Sequence, residues 1–194
     1  MSVEPCKKQS SLPRSSRRKT ARTVLPFVLA GLVFLSCCPV FRVLSISGQG
    51  ADAGRTVTLL SRRAVGEGFS ISYTHSVNKG RIHDFYACRG KALVLERTVF
   101  VSYGAGIPEA EETPGAVFTL TDSGYEISGL ERRLDKLLMA VGLYARHSIA
   151  IRQEGGLGNE LFLEDYFERQ TPVLFELRRI TPLQLVLAKD LLRD

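Results

Sequence analysis

The stretch that decides the fold runs from Phe69 to Tyr86, "FSISYTHSVNKGRIHDFY". Phe69, Ile71, Tyr73, His75 and Val77 fall on one side of it, and Ser70, Ser72, Thr74 and Ser76 on the other. A period of two marks a half-buried strand, because successive side chains point to opposite faces of a sheet. Asn78-Lys79-Gly80 is a turn signal, and a second strand follows at about Arg81 to Cys88. Arg89-Gly90 turns again into "KALVLERTVFVSY", Lys91 to Tyr103, which makes a three-stranded meander. With Lys79 and Gly80 as a two-residue loop, Val77 faces Ile82, His75 faces Asp84 and Tyr73 faces Tyr86. His75 and Asp84 then form a cross-strand pair on the more apolar face. A carboxylate beside imidazole fixes its tautomer and favours its charged form, while burial opposes that charge. The pair reads as a ligand-binding or acid–base site, or as a satisfied polar pair within a sheet. A slip of one residue would destroy it.

Downstream, "GAGIPEAEETPG" (Gly104 to Gly115) breaks the pattern with Gly and Pro, and "AVFTLT", "DSG" and "YEIS" read as another hairpin. Ser128 precedes Glu131 at capping-box spacing, and Leu130, Leu134, Leu137, Leu138 and Val141 recur at helical intervals. "KLLMAVGLY" also fits a buried strand, so residues 130–143 stand open between helix and strand. "HSIAIR" (His147 to Arg152) and "PVLFELRRI" read as strands, with "EGGLGN" as a turn. At the end, Thr181, Pro182 and Gln184 fit N-cap, first-turn proline and capping-box partner. Leu183, Val186, Leu187 and Leu191 form a stripe expected to pack on the sheet rather than on a membrane surface, since the segment has few basic residues. The fold class is mainly β: an antiparallel β-sandwich-like domain with an N-terminal transmembrane or signal helix and a short C-terminal helix.

Upstream, Val24 to Phe41, "VLPFVLAGLVFLSCCPVF", contains no charge and lies between Arg22 and Arg42. Eighteen helical residues reach about 27 Å, close to the hydrocarbon thickness of a bilayer. A basic flank before such a run stays cytoplasmic, so the remainder of the chain is expected outside. The run is longer than the apolar part of an ordinary signal peptide, which favours an uncleaved anchor over a cleaved signal. Ala51-Asp52-Ala53 is a small-x-small site far beyond the run. Ser16-Arg17-Arg18 begins like a twin-arginine signal, and "LSCC" is similar to a lipoprotein box with a poor residue before each cysteine. The organisation expected is a basic cytoplasmic leader at 1–22, a span or signal at 23–41, a juxtamembrane link at 42–56 and an exported β-rich domain at 57–194, with "RVLSIS" and "TVTLLS" reading as extended stretches on either side of the loop "GQGADAG".

Charge supports the division. The chain has 194 residues and a net charge of +6, yet residues 1–22 hold seven of its 26 Lys/Arg and one of its 20 Asp/Glu. The rest carries 19 of each and is neutral, which argues against a basic nucleic-acid-binding domain. Cys88 is the one cysteine of the exported part, so no disulfide forms within it and a paired-cysteine zinc site is excluded.

Chemistry-bearing motifs are sparse. His75 and Ser76 are adjacent, and in a strand they point to opposite faces, so they do not make a nucleophile–base pair. No Gly-x-Ser-x-Gly elbow occurs. His75, His83 and His147 are the only histidines, which makes metal binding poorly supported, and no cofactor motif is present. Gly104 to Pro108 reads as an anion-facing nest or, more commonly, as a tight turn. "GGLGN" lacks the lysine of a phosphate loop. The chain reads as a non-enzyme.

Two stretches, "FSISYTHSVNKGRIHDFY" (Phe69 to Tyr86) and "LVLERTVFVSYGAGIPE" (Leu93 to Glu109), resemble the bacterial family called domain of unknown function 1850. The features that carry the resemblance are His75-Ser76 after an alternating strand, Asp84 before Phe85, and Gly104-Ala105-Gly106-Ile107-Pro108 after the third strand. "GLYARHSIAI" near His147 is similar to the family's later strand, and the resemblance covers roughly residues 57–180. The family is similar to a companion of tripartite ATP-independent periplasmic (TRAP) transporters in the branch with TAXI-type solute receptors. The resemblance implies an envelope accessory protein, with transporter subunits, the membrane and a small-molecule solute as partners. Tyr73, His75, Ser76, Asp84, Gly104 to Pro108 and His147 are the candidate ligand or structural residues. An envelope hydrolase using His75 and Asp84, or a purely structural protein, are the alternatives.

Overall fold

The computed structural model describes Gly31, Phe34 and residues 36–50, 58–102, 113–122, 124–142, 144–154 and 156–187. The chain divides into two units, Met1–Cys38 and Pro39–Asp194. In the first, Gly31, Phe34, Ser36 and Cys37 are helical. Most of the apolar run at 24–41 lies outside the described residues, as do the leader, Ala51-Asp52-Ala53 and Gly104 to Pro108. Among the described residues no helix is long and apolar enough to cross a membrane.

The second unit is built from two antiparallel sheets. The smaller has the order β2-β1-β12-β8, from β1 (Phe41–Gly48), β2 (Thr58–Ser61), β8 (Lys136–Ala140) and β12 (Pro172–Ile180). The larger has the order β10-β9-β3-β4-β5-β7-β6. Its members are β3 (Phe69–Thr74), β4 (Arg81–Arg89), β5 (Ala92–Phe100), β6 (Val117–Thr121), β7 (Gly124–Leu134), β9 (Ser148–Gln153) and β10 (Gly156–Leu157). A further short strand, β11 (Leu161–Phe162), pairs with β9. A short helix, α1 (Arg63–Glu67), joins β2 to β3, and α2 (Pro182–Leu187) follows β12.

Alternation explains the layering. Phe69 and Ile71 on β3, Ile82 and Tyr86 on β4, Leu93, Leu95 and Phe100 on β5, and Ile149 and Ile151 on β9 turn to one face. They share a single buried cluster with Leu44, Ile46, Val173 and Phe175 of the small sheet. Burying one face of each sheet against the other is the β-sandwich solution. Phe69 stacks on Tyr86 with ring centroids 5.2 Å apart. Gly68 begins β3 at φ +83°, and a Cβ there would lie 2.7 Å from the Tyr86 carbonyl oxygen, so the approach requires glycine.

The structure changes the expected hairpin register and decides the readings left open. The β3–β4 hairpin is not closed by two residues. Its ladder pairs Tyr73 with Ile82, Ile71 with Asp84 and Phe69 with Tyr86, so His75 and Asp84 are not cross-strand partners. Residues 75–80 form a wide loop instead. His75 Nδ1 accepts the Val77 and Asn78 amides at 3.2 and 3.4 Å, Asn78 Oδ1 accepts the Gly80 amide at 3.0 Å, and Lys79 takes φ +60°. Each of those local bonds competes with continuation of the ladder.

Residues 130–141 are not helical. Strand β7 ends at Leu134, Asp135 turns the chain, and β8 enters the other sheet. The helix-like spacing of Leu130, Leu134 and Leu137 arises from positive-φ residues, Gly129 at +73° and Glu131 at +47°, beside a bulge in the β5–β7 pairing. The stretch "RVLSIS" is extended, as its alternation reads, and over 41–48 it forms an interior strand with Val43 to Ser47 buried.

The C-terminal capping box is present. The Gln184 amide donates to Thr181 Oγ1 at 3.1 Å, and the Thr181 amide to Gln184 Oε1 at 3.0 Å. Of the expected stripe, Leu191 and the side chain of Leu187 lie outside the described residues. Leu185 joins Phe41, Val43, Leu60 and Ile180, while Leu183 and Val186 face solvent.

Candidate functional site

Strands β3, β4 and β5 lie side by side in the large sheet and bring one carboxyl onto its inner face. Asp84 sits opposite Ile71 on β3 and opposite Thr98 on β5. From the tight β4–β5 turn the ladder begins with Arg89 opposite Ala92 and continues to Tyr86 opposite Leu95. A bulge then intervenes, and Phe85 faces Arg97. Without that extra residue, Glu96, the same ladder would set Arg97 opposite Asp84. The bulge therefore turns Thr98 inward and Arg97 outward.

Thr98 is fully buried, and its Oγ1 donates to Asp84 Oδ1 at 2.8 Å. The Tyr73 hydroxyl also donates to Asp84. Burial pushes the Asp84 carboxyl up to about 6, against the downward pull of these two hydrogen bonds. Burial likewise holds the Tyr73 hydroxyl well above the usual range, reinforced by the nearby Asp84 charge. Tyr86, one register step along the inner face, is raised for the same reasons. The half-buried carboxyl thus loses its proton near pH 6 in a setting that keeps two phenols protonated.

His147 completes the cluster. Its ring centroid lies 5.7 Å from that of Tyr73. Its Nδ1 accepts the Gly142 amide at 3.0 Å, which leaves the neutral ring's proton on Nε2. Burial, with Arg81 nearby, lowers its pKa. Thus Tyr73, Asp84 and His147 come together, joined by Thr98, which the sequence did not single out. His75 is buried in the β3–β4 loop, and Ser76 is exposed there, its carbonyl accepting Lys79 Nζ at 2.7 Å. The β3–β4 ladder pairs neither of them with Asp84.

The opposite face of the same strands carries a second polar group. Ser72 Oγ and His83 Nδ1 are 2.7 Å apart, and Arg81 donates to Ser148 Oγ at 2.6 Å and to Glu160 at 3.2 Å. Burial, then Arg81, lowers the His83 pKa. Ser72 is 1% exposed, so its hydroxyl is out of reach of a substrate. An open cleft of about 760 Å³ is lined by Arg63, Glu67, Arg152, Gln153 and Glu154, none of them part of either group. Among the described residues no three His, Cys, Asp or Glu side chains are gathered as a metal site. Cys88 is half-buried, and burial pushes its thiol up to about 11.

No curated protein matches the chain. No solved structure matches it either. Residues 69–155 match the family model described as a domain of unknown function (DUF1850), a block that opens on the first residue of β3, ends just beyond β9 and contains Tyr73, Asp84, Thr98 and His147.

Proposed function

We propose that this chain is a membrane-anchored envelope component with a binding or accessory role, whose β domain takes a small polar solute at Asp84 and which works beside a TAXI-type TRAP transporter. The observation that carries the binding role is the half-buried Asp84 carboxyl, held by Tyr73 and Thr98 on an otherwise apolar sheet face. Leaving a carboxyl there costs stability, and such a cost is commonly retained where a ligand must be gripped. The chemistry favours binding over catalysis. The Thr98 hydroxyl is committed to Asp84, and His147 Nδ1 is committed to a backbone amide. A hydrolase built on His75 and Asp84 loses its basis with the register of β3 and β4.

The anchor is supported by the uncharged run between Arg22 and Arg42, and the export direction by the seven Lys/Arg before it. The transporter partnership is supported by the resemblance of the β3–β5 region alone. Two measurements test the reading. Clean deletion in a cell carrying such a transporter is expected to reduce uptake of at least one solute, and a purified full chain is expected to bind that solute less well after Asp84→Asn. Undiminished uptake of all transported solutes overturns the partnership. Protection of residues 57–194 from protease in intact spheroplasts overturns the topology.

A further inference from the structure

The Phe41 end of the domain carries a patch that the binding role does not use. Phe41 opens β1 and pairs with Ile180, the last residue of β12. Helix α2 starts two residues later and turns Leu185 onto Phe41, Val43, Leu60 and Ile180. Two of its apolar side chains face outward: Leu183 is 55% exposed and Val186 81%. Val40, one residue before β1, is 56% exposed. Cations surround them. The Arg62 guanidinium lies 4.6 Å from the Phe41 ring centre, and exposed Arg178 and Arg179 precede Ile180. Among the described residues, neither Arg62 nor Arg179 has an acidic partner within 4.0 Å.

We infer that Leu183 and Val186 of α2, with Val40 and the Arg62 guanidinium at the same end of the domain, form a second contact with the bilayer, in which α2 lies on an anionic lipid surface. The inference rests on the membrane-anchor reading above. What selects lipid as the occupant is chain continuity. Cys37 is still helical and Phe41 is already the first residue of β1, so only Cys38, Pro39 and Val40 separate the helical end of the uncharged run from the sheet. A domain joined by so short a link has its starting edge at the headgroup layer, where aliphatic side chains enter the acyl boundary and arginines meet phosphates. A second anchoring point also fixes the tilt of the domain, which a single span does not.

The absence of tryptophan from the chain supplies the test. Full-length Val186→Trp and Val77→Trp each place one indole at a position that is 81% exposed, the second in the β3–β4 loop. Each variant is synthesised into vesicles of phosphatidylglycerol and brominated phosphatidylcholine and recovered by flotation. The indole of Val186→Trp is expected to emit to the blue of that of Val77→Trp and to be quenched roughly twofold more strongly by the brominated chains. Replacing phosphatidylglycerol with neutral lipid is expected to reduce the quenching. A floating chain with an unquenched Val186→Trp overturns this contact and leaves the anchor standing. A blue shift without quenching assigns the patch to protein, such as a second copy, and also overturns it. Equal quenching in neutral vesicles overturns the anionic assignment, and a chain that does not float overturns anchor and contact together.

Discussion

Thr98 reaches Asp84 across the β4–β5 ladder because one extra residue, Glu96, is looped out of that ladder, and the resulting hydrogen bond is 2.8 Å long. The consequences of placing a carboxyl in this position are measurable.

Asp84→Asn is expected to stabilise the fold at pH 7.5 by about 3 kcal/mol, since a raised pKa means that burial disfavours the charge at about 1.4 kcal/mol per unit. The sign follows from the folded pKa of about 6 against 3.8. The wild-type carboxyl contributes fully below pH 3.8 and loses that contribution as pH rises through 6. His83 and His147, both lowered, act in the opposite sense and lose stability as pH falls below 6.5. The difference between wild type and Asp84→Asn therefore isolates the carboxyl. Urea unfolding followed by circular dichroism should give equal stabilities near pH 3.5 and a gap that opens by pH 7.

Thr98→Val keeps the shape and removes the donor. The Asp84 titration, read by carbon-13 NMR of the carboxyl, should move to still higher pH. Stability at pH 7.5 should fall by roughly 1.5–3 kcal/mol, the range for a hydrogen bond to a charged group, and by less at pH 3.5.

His75→Ala separates loop from site. Two backbone amides lose their acceptor, at a cost of about 1–2 kcal/mol. The Asp84 titration should not move. A clear shift in it would reinstate the direct pairing that the ladder rules out.

Gly68→Ala forces a side chain into φ +83° and toward the Tyr86 carbonyl oxygen. A loss of about 1–3 kcal/mol is expected, measured by the same urea transitions.

Much of this architecture was legible. Alternation over Phe69 to Thr74 gave β3 and its inner face, and parity alone placed Tyr73 and Asp84 on that face together. The pairing was not legible, because the ladder is displaced by four residues relative to a two-residue turn. The cause is a histidine ring acting as an amide acceptor, which no turn dipeptide announces. Thr98 was missed for a related reason. A two-residue turn at Arg89-Gly90 sets Asp84 against Leu95, the actual start of the ladder at Arg89 opposite Ala92 sets it against Arg97, and only the bulge at Glu96 brings in the threonine. Between Leu130 and Val141, positive-φ residues and a change of sheet imitated a helical period. The cap at Thr181 was readable because its partner lies three residues away and needs no tertiary information.

The interior position of β1, between β2 and β12, has a consequence for assembly. The larger sheet is mostly a succession of neighbouring hairpins, which close over short distances. The smaller one has to unite the opening and closing strands of the domain, and that long loop makes it the slow step. Until β12 has been made, β1 waits with its hydrogen-bonding edge toward that strand uncovered. A ribosome stalled before residue 172 would therefore leave a nascent chain with half its sandwich zipped and the other half open to chaperones and proteases.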